Sequence, residues 1–67
     1  MKTMFDVQQL LKRFGIFIYT GDRLSDLELM GIEIDALHES TLLTHNEYML
    51  AKLILKKEIT VMQQHKG

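Results

Sequence analysis

Three stretches of the chain repeat apolar residues at the three- and four-residue spacing of a helix that buries one face. The spacing predicts helices over residues 4–14, 25–39 and 45–63. The inward stripes are Val7, Leu10, Leu11 and Phe14 in the first helix, Leu27, Met30, Ile34 and Leu37 in the second, and Tyr48, Ala51, Leu55, Ile59 and Met62 in the third.

Capping residues stand at the predicted starts of the second and third helices. Thr44 and Glu47 match a capping box, in which each side chain accepts a hydrogen bond from the backbone N–H of the other residue. Ser25 and Glu28 match a second capping box, with Asp22 as an alternative start one turn earlier. These signals support helices that begin near Ser25 and at residue 45.

Two connectors separate the helices. Residues 16–19 are β-branched or aromatic and favour an extended backbone, but with no second strand to pair with they predict an extended apolar loop. The second connector is short, so the second and third helices should form an antiparallel pair. We therefore expect one all-α domain over residues 1–67, a small three-helix bundle, with an open array that closes only on dimerisation as the alternative. Within the second helix, Gly31 suggests close approach of another helix.

The charges are segregated along the chain. Formal net charge is -1, but residues 1–23 carry +2, residues 24–47 carry -6 and residues 48–67 carry +3. The acidic second helix therefore lies between two basic ones. Either the three helices attract one another within the bundle, or the first and third share a basic face that is exposed to a ligand.

Several classes of protein are excluded by composition. The chain has no Cys, so it has neither a disulfide framework nor a thiolate metal site. No apolar run approaches the ~20 residues of a membrane span, and the first residues lack the apolar stretch of a secretory signal. We expect a cytoplasmic protein that does not enter membranes.

The sequence gives little support for a catalytic site or a metal site. The spacing of His38, His45 and His65 does not match a helical zinc motif, and the glycines do not form a phosphate-binding loop. Ser25 and Ser40 are better explained as a cap and a loop residue, and the carboxylates of the second helix as a solvated face. We expect no enzyme, no cofactor, no metal and no catalytic residue.

A basic and aromatic set of residues suggests binding of single-stranded nucleic acid, RNA or DNA. Aromatic rings beside cationic side chains suit stacked bases and phosphates. The alternative is structural: Phe17 and Tyr19 close the end of the bundle, and Arg23 pairs with Asp26 or Glu28. The candidate binding residues are Phe5, Lys12, Arg13, Tyr19, Arg23, Lys52 and Lys56.

A second apolar stripe on the second helix, formed by Leu29, Ile32 and Ala36, lies away from the inward one. Monomeric proteins rarely expose contiguous apolar patches, so the stripe predicts a homodimer. The competing functional hypothesis is an adaptor or regulatory protein that binds another protein through its acidic second helix.

Three segments of the chain resemble the YqgQ-like family of short, uncharacterised proteins of Gram-positive bacteria. They are residues 5–11 (FDVQQLL), 17–23 (FIYTGDR) and 27–30 (LELM), within a resemblance that covers roughly residues 4–58. The resemblance implies a three-helix fold and a suggested single-strand nucleic-acid binding role, and it supplies no catalytic residue. Gly31 and Ile32 depart from the acidic, helix-favouring residues expected there.

Overall fold

The computed structural model describes residues 1–65, which form three helices. Helix α1 spans Met4–Arg13, α2 spans Arg23–Glu39 and α3 spans His45–His65. No strand occurs in this part of the chain. The predicted all-α three-helix bundle is confirmed, with α1 one residue shorter at its end and α3 two residues longer than the periodicity indicated.

The capping box at the start of α3 is confirmed. The backbone N–H of Thr44 donates to the Glu47 carboxylate over 2.9 Å, and the N–H of Glu47 donates to the Thr44 hydroxyl over 3.1 Å. A comparable box links Thr3 and Asp6 at the start of α1. Hydrogen bonds from the backbone N–H groups of Lys2 and Thr3 hold the pKa of Asp6 below its ordinary value.

The predicted start of α2 at Ser25 is wrong, and the alternative at Asp22 is correct. The Asp22 carboxylate accepts a hydrogen bond from the backbone N–H of Ser25 over 2.9 Å, and the helix begins at Arg23. Both residue types cap helices well. The earlier start places Asp26 in the first turn, where Thr20 of the preceding connector donates hydrogen bonds to its carboxylate.

The first two helices end in the same way, with a residue in the left-handed region. Gly15 follows α1 with φ 74°, and Thr41 follows α2 with φ 59°. At each end two backbone N–H groups donate to carbonyls of the last helical turn. After α1, Gly15 donates to Lys12 over 2.9 Å and Ile16 to Leu11 over 3.0 Å; after α2, Thr41 donates to His38 over 3.0 Å and Leu42 to Leu37 over 2.9 Å. These are Schellman motifs. Thr41 is the more strained of the two, because a β-branched residue rarely adopts positive φ.

The core is one cluster that joins all three helices. The α2–α3 contact is the most extensive, and α1 packs more lightly on both. Residues late in α2 contact residues early in α3, which confirms the antiparallel pair. The buried apolar side chains are Val7, Leu10, Leu11, Leu27, Met30, Ile34, Leu37, Leu43, Ala51 and Leu55.

Gly31 does not mark close approach of another helix, contrary to the expectation from sequence. The nearest atom that an added Cβ would meet is the Lys52 ammonium, at 3.8 Å, which is an ordinary contact with the far end of a flexible side chain. The backbone there is helical, so packing does not require glycine at this position.

No helix within residues 1–65 is both long enough and apolar enough to cross a membrane.

Replacing Leu55 by Ala should reduce the free energy of unfolding by about 2–5 kcal/mol, because Leu55 is almost completely buried and its loss leaves a cavity. Urea unfolding followed by circular dichroism measures the change. Leu53→Ala is the matched control, since Leu53 lies on the same helix with 63% of its surface exposed. Equal effects of the two substitutions would show that the inward stripe of α3 is assigned incorrectly.

Candidate nucleic-acid interface

A groove lies between α1 and the connector that follows it. Its volume is about 460 Å³. We call it the aromatic groove, because two exposed rings form one of its sides. Its lining residues are Gln8, Gln9, Leu11, Lys12, Ile16, Phe17, Ile18, Tyr19 and Met30.

Residues 16–19 of the connector form neither helix nor strand, and their side chains alternate between core and solvent. Ile16 and Ile18 are half-buried against the core, whereas Phe17 is 74% and Tyr19 89% exposed. This is the two-residue period of an extended chain with one buried face. The structural alternative, in which Phe17 and Tyr19 close the bundle, is wrong because the two isoleucines occupy that position.

Hydrogen bonds to Asp26 hold the far end of the connector. The backbone N–H and the hydroxyl of Thr20 each donate to the same carboxylate oxygen of Asp26, both over 2.7 Å. Asp26 is only 7% exposed, so the expectation that the carboxylates of α2 face solvent is wrong for this residue. The Thr20 hydroxyl also accepts from the N–H of Asp22 over 3.2 Å. Gly21 completes the turn with φ 92°.

The opposite side of the aromatic groove is the outer face of α1. Gln8, Gln9 and Lys12 line it, and all three are exposed. Phe5 lies one turn earlier on the same helix face, since residues three, four and seven apart share a face, and it is exposed as well. The structure therefore brings Lys12 and Tyr19 together in one groove, with Phe5 outside the groove but on the same face of α1.

Arg13 and Arg23 lie outside this groove. The Arg13 guanidinium pairs with the Glu47 carboxylate at 3.8 Å and lies 5.8 Å from the centre of the Phe14 ring. Arg23 is exposed. Within residues 1–65, no salt bridge joins Arg23 to Asp26 or Glu28, so that predicted pairing is wrong; Thr20 engages the Asp26 carboxylate instead.

Lys52 and Lys56 lie in a second groove, between α2 and α3. This α2–α3 groove has a volume of about 770 Å³ and an apolar floor. The Lys52 ammonium pairs with the Asp35 carboxylate at 3.1 Å. The predicted basic residues are thus not brought together in one groove. The lining residues are Leu27, Glu28, Gly31, Ile32, Asp35, Met49, Lys52, Leu53, Leu55, Lys56, Ile59, Thr60 and Gln63.

A polar cluster joins α2 to α3 at one end of this groove. The Tyr48 hydroxyl donates to the Asp35 carboxylate over 3.0 Å, and the Tyr48 ring stacks on His38 with 3.9 Å between ring centres. The hydrogen bond to Asp35 raises the pKa of Tyr48, because ionisation would abolish it. The ring centres of His45 and His38 are 6.0 Å apart, but no three potential metal ligands come together in the described part of the chain.

These observations define the class: a small three-helix protein with surface grooves and an extended aromatic connector. Residues 1–61 match the model of the YqgQ-like family. The chain is also 39% identical over 59 residues to the uncharacterized protein YqgQ of Bacillus subtilis (strain 168), which covers 88% of this chain and 83% of that protein. The chain belongs to the YqgQ-like family.

Replacing Thr20 by Val should destabilise the protein by about 1–3 kcal/mol, because a buried carboxylate loses one of its donors with little change in side-chain shape. Chemical denaturation measures the loss. Thr20→Ser, which retains the hydroxyl, is the control and should remain near the unsubstituted protein. Equal stability of the Val and Ser variants would contradict the role of the Thr20 hydroxyl.

The phenol of Tyr48 should ionise above its ordinary pKa of 10.0. Because the folded pKa is raised, the corresponding stability is complete below the unfolded pKa and is lost as pH rises through the folded value. In a Tyr19→Phe variant Tyr48 is the sole tyrosine, so an ultraviolet titration of phenolate reports it alone.

Adding Asp35→Ala to that variant should lower the midpoint of the titration, whereas the control Glu33→Ala should leave it in place. A midpoint that does not respond to Asp35→Ala would show that the hydrogen bond does not control the ionisation of Tyr48.

Proposed function

We propose that this protein is a non-enzymatic binding module of the bacterial cytoplasm that holds single-stranded nucleic acid, RNA or DNA, weakly in the aromatic groove. The observation that carries the proposal is the pair of exposed rings, Phe17 and Tyr19, displayed beside Lys12 by a connector that is held at both ends. Rings presented in this way offer flat apolar surfaces to unpaired bases at little cost in conformational entropy.

Single strands suit this groove better than a duplex does. Unpaired bases expose faces that stack on aromatic rings regardless of their identity, and Phe17 and Tyr19 are available for that contact. The glutamines across the groove, Gln8 and Gln9, carry amide donors and acceptors for base edges or sugar hydroxyls. A duplex would need a helix that combines base-reading residues with several basic residues along one face, whereas the outer face of α1 carries one basic residue, Lys12.

The charge near the groove predicts weak, salt-sensitive binding. Lys12 lines the groove, and Arg23 is exposed at the start of α2, just beyond the connector. For a single strand, each neutralised phosphate contributes about -0.7 to the slope of log affinity against log salt. Two cations therefore predict a slope of about -1.4. Arg13, Lys52 and Lys56 are more distant from the groove, and carboxylates offset the charges of the first two.

A fluorescence-anisotropy titration of labelled single-stranded RNA and DNA at two or more salt concentrations tests the proposal. Tyr19→Ala should weaken binding by about 1–3 kcal/mol if a base stacks on the ring. Lys12→Glu should weaken binding and reduce the salt slope by about 0.7. Lys57→Glu is the matched control, because it makes the same charge change at an exposed position on α3 outside both grooves.

Tyrosine fluorescence provides a second readout at the groove itself. The chain has no Trp and two Tyr, so a Tyr48→Phe variant carries Tyr19 as its sole strong fluorophore. Base stacking on Tyr19 should quench this emission with the same midpoint as the anisotropy change. Absence of binding at high micromolar protein and low salt would refute the proposal and favour a protein-binding adaptor that acts through its acidic α2.

A further inference from the structure

The α2–α3 groove is a second surface that the proposed function does not use. Ile32 of α2 and Met49 and Leu53 of α3 are large, mostly exposed apolar side chains that line this one groove. Exposed apolar residues grouped in a groove indicate a surface that another molecule covers. Nucleic acid is a poor candidate, because Glu28 and Asp35 offset the charges of Lys52 and Lys56 and leave the groove without a net positive charge.

The rims of this groove carry opposite charges. Acidic residues stand along α2, where Asp35 and Glu28 are two helical turns apart. Basic residues stand along α3, where Lys52 and Lys56 are about one turn apart. The Asp35–Lys52 salt bridge joins the two rims at one end. At the other end, Glu28 and Lys56 line the groove, and within residues 1–65 neither forms a salt bridge.

We infer that a second copy of this chain covers the α2–α3 groove and forms a symmetric homodimer. In a two-fold interface each residue that contacts a partner residue is contacted by its equivalent. A surface with an acidic rim on α2 and a basic rim on α3 is therefore complementary to a second copy of itself, provided that α2 of one copy faces α3 of the other.

The charge pattern also selects the orientation of the two-fold axis. An axis parallel to the helices places α2 against the partner's α3 at the same height, so Glu28 of one copy approaches Lys56 of the other. An axis across the helices places each α2 against the partner's α2 and each α3 against the partner's α3. Like charges then face each other, and their repulsion destabilises the dimer. The dimer is thus a four-helix arrangement in which every neighbouring pair is antiparallel, with α1 on the outside.

This dimer revises the interface expected from sequence. Ile32 remains at its centre, joined by Met49 and Leu53. Leu29 and Ala36 are exposed but do not line the groove. On a helix of 3.6 residues per turn they lie further round α2, away from the side that faces α3.

Sedimentation equilibrium up to millimolar protein tests the inference. The unsubstituted protein should be a dimer, and Ile32→Glu or Leu53→Glu should raise the dissociation constant at least about tenfold, because a charge enters the apolar centre. Ala36→Glu is the control and should leave the dimer intact. A monomeric unsubstituted protein, or a dimer that dissociates with Ala36→Glu and not with Ile32→Glu, would overturn the inference.

Charge exchange between copies tests the axis. Glu28→Lys and Lys56→Glu should each weaken the homodimer about tenfold, because both symmetric pairs become repulsive. Mixing the two variants should restore association as a heterodimer, in which both pairs are again of opposite charge. Native mass spectrometry with one isotope-labelled variant measures this preference, and circular dichroism verifies folding. Random pairing of the two variants would rule out this axis.

Discussion

The carboxylate of Asp26 imposes the constraint that shapes the surface of this bundle. A carboxylate removed from water costs several kcal/mol unless donors replace the solvent, and Thr20 supplies two of them. The chain leaving α1 must therefore return to the first turn of α2 at Thr20. The Schellman motif at Gly15 holds the other end of the connector. Because both ends are held, residues 16–19 adopt an extended backbone. Ile16 and Ile18 then face the core, and the rings of Phe17 and Tyr19 face solvent.

The α2–α3 hairpin gives the molecule its second surface. Apolar side chains such as Ile34 and Leu55 hold the two helices together, and the cluster of Asp35, Tyr48 and Lys52 adds directional contacts between them. Helix α1 takes no part in lining the α2–α3 groove. The two grooves therefore draw on different helix faces and different chemistry: the aromatic groove has polar and aromatic sides, and the α2–α3 groove has an apolar floor between charged rims.

Much of the fold was predictable because its determinants are local. Leu27, Met30, Ile34 and Leu37 are all buried, as their spacing indicated, since a helix that buries one face requires that period. The start of α2 was ambiguous for an equally local reason: Asp22 and Ser25 are both good caps. The contact between Asp26 and Thr20 fits the earlier start. The spacing of apolar residues does not predict this contact, because the contact joins α2 to the connector that precedes the helix.

The spacing of residues along the chain was enough to indicate three helices, their inward faces and the cap at Thr44, because burial and backbone hydrogen bonding within one segment depend on neighbouring residues. The packing of the helices, by contrast, sets the exposure of Phe17 and Tyr19, the salt bridge between Lys52 and Asp35, and the position of Lys12 in one groove with Tyr19. Those outcomes depend on how the helices dock and on which way the connector turns. Docking of the helices brings together side chains from distant segments, and the spacing of residues along the chain does not predict these contacts.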